Sequence, residues 1–109
     1  MLLNLTPHAI TIRTSDGDIT IPPSGGMARV AANAVRVGAY NGIPVVSNKY
    51  GPVEGLVRDE QGVPVPCIVS GMVLAALPAG TPNVFAPATG ATAIRENGQV
   101  VAVTELVTS

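Results

Sequence analysis

The side chain best suited to proton transfer or ligand recognition is His8, the single histidine of the chain. A neutral imidazole can donate a hydrogen bond from one nitrogen and accept one at the other, which suits either role. The same residue could instead be structural, with its ring bonded to a nearby carbonyl group. The residue type alone leaves both interpretations of His8 open.

A second set of side chains suits the binding of a small anion. Arg29 and Lys49 are cations, and Tyr50 precedes a glycine-proline pair that is typical of a turn. Arg29 could meet an anionic group through a charge-assisted hydrogen bond while Tyr50 stacks on a ring. Solvated loop residues would have the same composition, so both interpretations stay open here as well.

Catalytic templates fit the chain poorly. A nucleophile with a base and an acid would combine Ser70 or Cys67 with His8 and Glu54, which are distant in sequence and lack a local signature. Glu54 is the one carboxylate outside the charged turns and the chain end, so paired carboxylates are not expected. One histidine and one cysteine fall short of a metal-ligand set. We therefore expect no enzymatic activity, no cofactor and no metal.

The composition predicts a single domain over residues 1–109 that associates with copies of itself. Charged residues make up 12% of the chain and hydrophobic residues 47%, with a net charge of −1, which argues against disorder. A weakly charged surface on a small domain indicates that other copies cover part of it. The six basic residues are scattered and aromatic residues are few, so a nucleic-acid polymer is not an expected partner.

The start of the chain bears on localisation. It has neither a basic region nor a long apolar segment, so we expect no signal peptide and no membrane association. The prediction is a cytoplasmic protein.

The elements that must position these side chains are organised around the longest apolar run, residues 66–78. β-Branched residues favour a buried strand from Pro66 to Ser70, and good helix formers follow from Met72 to Leu77. Ser70 would then cap the first free amides of the helix.

Three dipeptides predict tight β-hairpin turns: Asp16-Gly17, Asn41-Gly42 and Asn97-Gly98. The strands expected around the second and third turns are Val35–Tyr40 with Ile43–Ser47, and Ala91–Arg95 with Val100–Val107. A further strand is expected over Met27–Ala32, where the alanines could instead begin a helical turn. A polar loop is expected over Asn48–Pro52. About eight short strands and one short helix predict a mainly β fold, either a small barrel or a sandwich.

Four segments resemble a family of small proteins found in bacteriophages and bacterial genomes. The segments are Asn4–Ile10, Pro22–Val30 with its Pro-Pro-Ser-Gly and Ala-Arg-Val motifs, Gly42–Leu56 with Tyr-Gly-Pro-Val-Glu-Gly-Leu, and Ile68–Ser70. The similarity extends from Asn4 to about Pro87. The chain departs from the family pattern in a charged, proline-rich insertion between Leu56 and Ile68, and in its C-terminal end.

The resemblance implies a phage context, in which small proteins without catalytic machinery commonly build the particle or block host defence. Our leading hypothesis is a non-enzymatic oligomer in the host cytoplasm that captures a small anionic, nucleotide-like ligand. In a phage context, such a ligand would be a host immune signal that the protein sequesters. The alternatives are a virion component, such as a decoration or connector subunit, and a direct binder of a host defence protein. The predicted ligand-binding residues are the polar members of the family-like segments: His8, Arg29, Tyr50, Glu54, Thr6, Lys49 and Ser70.

Overall fold

The computed structural model describes residues 2–109, in which ten strands and one helix are found. In chain order these are β1 (Leu3–Asn4), β2 (Ile10–Thr14), β3 (Gly17–Ile21), β4 (Arg29–Tyr40), β5 (Ile43–Glu54), β6 (Cys67–Ile68), α1 (Gly71–Ala76), β7 (Val84–Pro87), β8 (Ile94–Glu96), β9 (Gln99–Ala102) and β10 (Leu106–Thr108). The predicted mainly β fold is confirmed, since the ten strands hold about half of the residues and the one helix holds six. The strands form one four-stranded sheet and three two-stranded sheets, and over residues 2–109 they do not close into a barrel.

The four-stranded sheet has the order β1-β6-β7-β10 and brings distant parts of the chain together. β1 lies parallel to β6, with Leu3 opposite Cys67, and β6 lies parallel to β7, with Cys67 opposite Val84. β10 completes the sheet antiparallel to β7. The central strand β6 is fully buried, because it has a neighbouring strand on each side and lies among the core residues.

The strand-to-helix unit predicted for residues 66–78 is confirmed, with a shorter strand and a helix that begins and ends one residue earlier than expected. The strand spans Cys67–Ile68 because its neighbours pair with it over those two residues. The helix spans Gly71–Ala76. Ser70 is its N-cap, as predicted, and its hydroxyl accepts a hydrogen bond of 3.3 Å from the Val73 amide.

The hydrophobic core lies where α1, the central sheet and the base of the β4–β5 hairpin meet. Its buried members are Leu5, Ala28, Cys67, Val69, Val73, Leu74, Val84 and Ala86. Val30 and Val53, which are cross-strand partners at the base of the hairpin, pack against this cluster. The hairpin is therefore anchored to the core at one end only.

We call residues Arg29–Glu54 the arm: strands β4 and β5 joined by the predicted Asn41-Gly42 turn. Both turn residues have positive φ angles, 49° and 77°, which matches a two-residue hairpin turn. β4 is one continuous strand, so the strand expected over Met27–Ala32 is present from Arg29 as its first part, and no helical turn occurs there. The polar loop expected over Asn48–Pro52 was also wrong, because these residues belong to β5. An extra residue in β5 between Tyr50 and Val53, accommodated as a bulge, lets the glycine-proline pair stay in the strand.

The arm extends the molecule well beyond a compact shape. The radius of gyration is 16.3 Å, and the principal extents are 53 × 43 × 24 Å. A compact chain of this length would have a radius of gyration of about 13 Å. Twelve residues per strand give the arm a length of about 40 Å.

Two smaller hairpins flank the central sheet. β2 and β3 pair across a turn at Ser15-Asp16, one residue earlier than the predicted Asp16-Gly17, because Gly17 is the first residue of β3 and pairs with Thr14. β8 and β9 pair across the predicted Asn97-Gly98 turn. The closing hairpin is shorter than expected, since β9 ends at Ala102 and residues 106–108 form β10 on the central sheet. The chain leaves the hairpin there because Val103 instead bonds to the backbone of β2.

Candidate functional site

The seven predicted ligand-binding residues lie in three separate places. Thr6 and His8 are in the loop between β1 and β2, and Ser70 caps α1. The other members lie on the arm: Arg29, Lys49, Tyr50 and Glu54. Within one chain the structure therefore does not gather them into one pocket.

The loop between β1 and β2 is organised by Asn4, a polar residue that is 1% exposed. Its side-chain Nδ2 donates hydrogen bonds to the carbonyls of His8 at 2.8 Å and Ile21 at 2.9 Å. Its Oδ1 accepts from the Thr6 amide at 3.0 Å and from the Thr6 hydroxyl at 2.6 Å. The Asn4 amide group thus ties the loop to the end of β3.

The main-chain carbonyl of Asn4 extends this network to the proline-rich corner. Both the amide and the hydroxyl of Ser24 donate to it at 2.9 Å. The Thr6 side chain is half-buried in the network, whereas the His8 side chain is exposed and contributes only its carbonyl. Asn4 was missed as a key residue from sequence; the available signal was an amide side chain between two leucines of an apolar segment.

The arm places Arg29 and Glu54 directly opposite each other, as cross-strand partners. Because side chains alternate along β4, Arg29 shares its face with Asn33 and with Asn33's partner Lys49. Tyr50 is the partner of Ala32 and lies on the other face. A ligand on one arm face therefore cannot bond Arg29 and stack on Tyr50 of the same chain.

A small cavity adjoins Arg29 and Glu54. It measures ≈ 200 Å³ and is also lined by Val30, Ala31 and Pro52. Pockets that enclose drug-sized ligands measure about 300–1,000 Å³. In a single chain, this cavity is too small for a nucleotide.

Two larger grooves have no charged lining residue. One, of ≈ 560 Å³, lies between α1, the end of β7 and the following loop. The other, of ≈ 580 Å³, lies between the start of the chain and β3, next to the Pro22-Pro23 corner. Neither contains a predicted ligand-binding residue.

The base of the arm depends on a close approach of two chain segments. Gly55, just after β5, has a φ of 93°, and a Cβ atom added there would collide with the main-chain carbonyl of Met27. Ala28, the residue after Met27, donates its amide to the Leu5 carbonyl at 3.0 Å. Gly55 therefore has a structural function in holding the arm on the body, and the following Leu56 packs against the core.

The titratable groups of residues 2–109 are dispersed, apart from one ion pair. The ion pair found there joins Arg13 and Asp18 at 2.9 Å, and this hydrogen bond lowers the pKa of Asp18 and raises the pKa of Arg13. Burial raises the pKa of the Cys67 thiol. No group of three or more potential metal ligands occurs among the described residues. Within the same residues, no helix is long and apolar enough to cross a membrane.

The most exposed apolar side chains lie on the arm, mainly near its tip. Tyr40 is 71% exposed, Ile43 64% and Val37 62%. Cross-strand pairing places Tyr40 and Ile43 on one face, and Val46 with its partner Arg36 on the other. Both faces of the arm thus expose apolar surface, although a two-stranded ribbon is at best marginally stable alone in water.

Comparison of the chain with protein-family models, with curated proteins and with solved structures found no match.

Proposed function

We propose that this protein is a non-enzymatic, homo-oligomeric structural subunit whose arm joins it to other copies. The observation that carries the proposal is a hairpin of two 12-residue strands that projects from the core with exposed apolar side chains on both faces. Such a surface on a small domain favours a protein partner over solvent. The function corresponds to a decoration or connector subunit of a phage particle, assembled in the host cytoplasm.

The surface area of the chain supports self-association. The accessible surface is 7132 Å² for a mass of 11.0 kDa. A compact monomer of this mass would expose about 5,600 Å², so the excess is about 1,500 Å² per chain. Two chains that buried this excess would form an interface of about 3,000 Å², within the range of obligate homodimers.

A second candidate function is the capture of a small anionic, nucleotide-like ligand between copies. It is favoured by the placement of Arg29 and Lys49 on one face of the arm, where neither makes an ion pair within residues 2–109. A second chain packed on this face would enlarge the ≈ 200 Å³ cavity beside Arg29. This arrangement would also let Tyr50 of another copy supply the stacking surface.

Light scattering on the purified full chain tests the structural proposal. We expect a mass that is a multiple of 11.0 kDa at micromolar concentration. A monomer under these conditions would refute both candidate functions, because both require association. Calorimetric titration of the oligomer with a nucleotide panel then separates them: binding that Arg29→Ala weakens supports ligand capture, and no binding leaves the structural subunit.

A further inference from the structure

The two outer edges of the arm differ in their capacity to pair with another strand. The edge of β5 contains Pro44 and Pro52, which have no amide hydrogen to donate. In a two-stranded ladder, proline occupies positions where an amide hydrogen would point away from the partner strand. Pro44 and Pro52 therefore remove hydrogen-bond donors from the outer edge of β5. β4 contains no proline over its 12 residues.

The outer edge of β4 is also unpaired. Over residues 2–109, no backbone hydrogen bond joins residues 30–40 to anything other than β5. The one side-chain hydrogen bond that involves this stretch lies within it, from the Arg36 side chain to the carbonyl of Gly38 at 3.4 Å. A long edge with free amides and carbonyls is a template for another strand.

On this basis, and resting on the self-association proposed above, we infer that β4 pairs antiparallel with β4 of a second copy. The pairing merges two arms into a four-stranded sheet across a two-fold axis, with the proline-containing β5 strands outside. A two-fold axis perpendicular to the sheet keeps each side chain on the same face of the sheet in both copies. One residue of β4 must therefore lie directly opposite its own copy.

The regular part of β4 identifies that residue. Pairing with β5 is irregular between Val30 and Ala32 and again between Arg36 and Gly38. The regular stretch between these points is residues 32–36, and its centre is Ala34. With Ala34 on the axis, Arg36 lies opposite Ala32 of the other copy, and the two Arg36 residues are about 14 Å apart along the strands.

The charges of the molecule favour a second copy as the occupant. The arm has three basic residues and one acidic residue, a net charge of +2. The remainder has three basic and six acidic residues, a net charge of −3. In the Ala34 register each arm tip points toward the other copy's body, so the attraction between each positive arm and the other copy's negative body opposes the repulsion between the two arms.

Cysteine crosslinking of the full chain tests this arrangement. The variants are Ala34→Cys, Ala32→Cys, Arg36→Cys, the Ala32→Cys/Arg36→Cys double variant, and Asn48→Cys as the matched control. Asn48 is the cross-strand partner of Ala34, so it shares the face but lies on β5. Cys67 is fully buried and its pKa is raised, so it contributes little background reaction.

Under mild oxidation we expect a disulfide-linked dimer from Ala34→Cys and from the double variant. Ala32→Cys, Arg36→Cys and Asn48→Cys should each give about tenfold less dimer, because separations near 14 Å far exceed disulfide geometry. Crosslinking that is strongest at another single position would overturn the Ala34 register. An oligomer by light scattering without crosslinking in β4 would overturn the β4 pairing and leave the proposed function standing. A wild-type monomer would overturn both.

Discussion

Replacement of Asn4 by alanine should destabilise the fold far more than replacement of its exposed neighbour His8. Asn4→Ala removes the hydrogen bonds of the Asn4 side chain to three main-chain groups: the carbonyls of His8 and Ile21 and the amide of Thr6. Of these groups, the His8 carbonyl keeps the Thr6 hydroxyl as a second donor. At about 1 kcal/mol for each, the loss is about 3 kcal/mol of the free energy of unfolding. His8→Ala keeps the carbonyl that Asn4 binds, and should change this free energy by less than about 0.5 kcal/mol.

Urea denaturation followed by circular dichroism measures both variants at one fixed protein concentration, since association affects apparent stability. With a slope near 1.5 kcal/mol per molar urea, Asn4→Ala should lower the midpoint by about 2 M. Asn48→Ala removes the same side chain from an exposed arm position without side-chain hydrogen bonds, and is the matched control. Equal midpoints for Asn4→Ala and Asn48→Ala would refute the structural function of the Asn4 network. A large loss in His8→Ala would show that its ring is structural.

Three further variants test other parts of the fold. Ile68→Ala should cost about 2–5 kcal/mol in chemical denaturation, because Ile68 is fully buried on the central strand; an unchanged midpoint would contradict that burial. Gly55→Ala should lower the melting temperature by the equivalent of about 3 kcal/mol or more, whereas Gly38→Ala, with open space around it and no positive φ, should stay within about 1 kcal/mol. The pKa of Asp18 should lie below its usual value in an NMR titration and return toward it in Arg13→Gln. Because the folded-state pKa is the lower one, the pair stabilises the fold above the ordinary aspartate pKa, and this contribution disappears as the pH falls through the folded-state value. A normal pKa in wild type would contradict the ion pair.

The local parts of this fold could be predicted from sequence. The Asn41-Gly42 and Asn97-Gly98 turns and the Ser70 cap depend on a few adjacent residues whose backbone preferences are strong, so they were placed correctly. The first hairpin turn was placed within one residue. The parallel pairing of β1 with β6 could not be predicted, since it depends on packing between residues more than 60 positions apart. Asn48–Pro52 reads locally as a loop, and only its pairing with β4 makes it a strand.

The candidate site shows the same division. Sequence reasoning selected polar side chains, and it could not show that His8 takes part through its carbonyl or that Asn4 is the buried centre of the loop. It also placed Arg29 and Tyr50 together, whereas one bulge in β5 sets them on opposite faces of the arm. The expected self-association was inferred from low charge alone. The surface that would mediate it became visible only when β4 and β5 were seen to form one long, exposed hairpin.

Sedimentation equilibrium of wild type, Ile43→Thr and Ile19→Thr tests the central proposal most directly. The two variants make the same chemical change at exposed strand positions, Ile43 at the arm tip and Ile19 on the β2–β3 hairpin, which are 64% and 53% exposed. We predict that wild type and Ile19→Thr sediment as the same oligomer. Ile43→Thr should dissociate at about tenfold higher concentration, the effect of about 1.4 kcal/mol of lost apolar burial. Equal association of the two variants, or a wild-type mass of 11.0 kDa, would contradict the arm as the surface that joins copies.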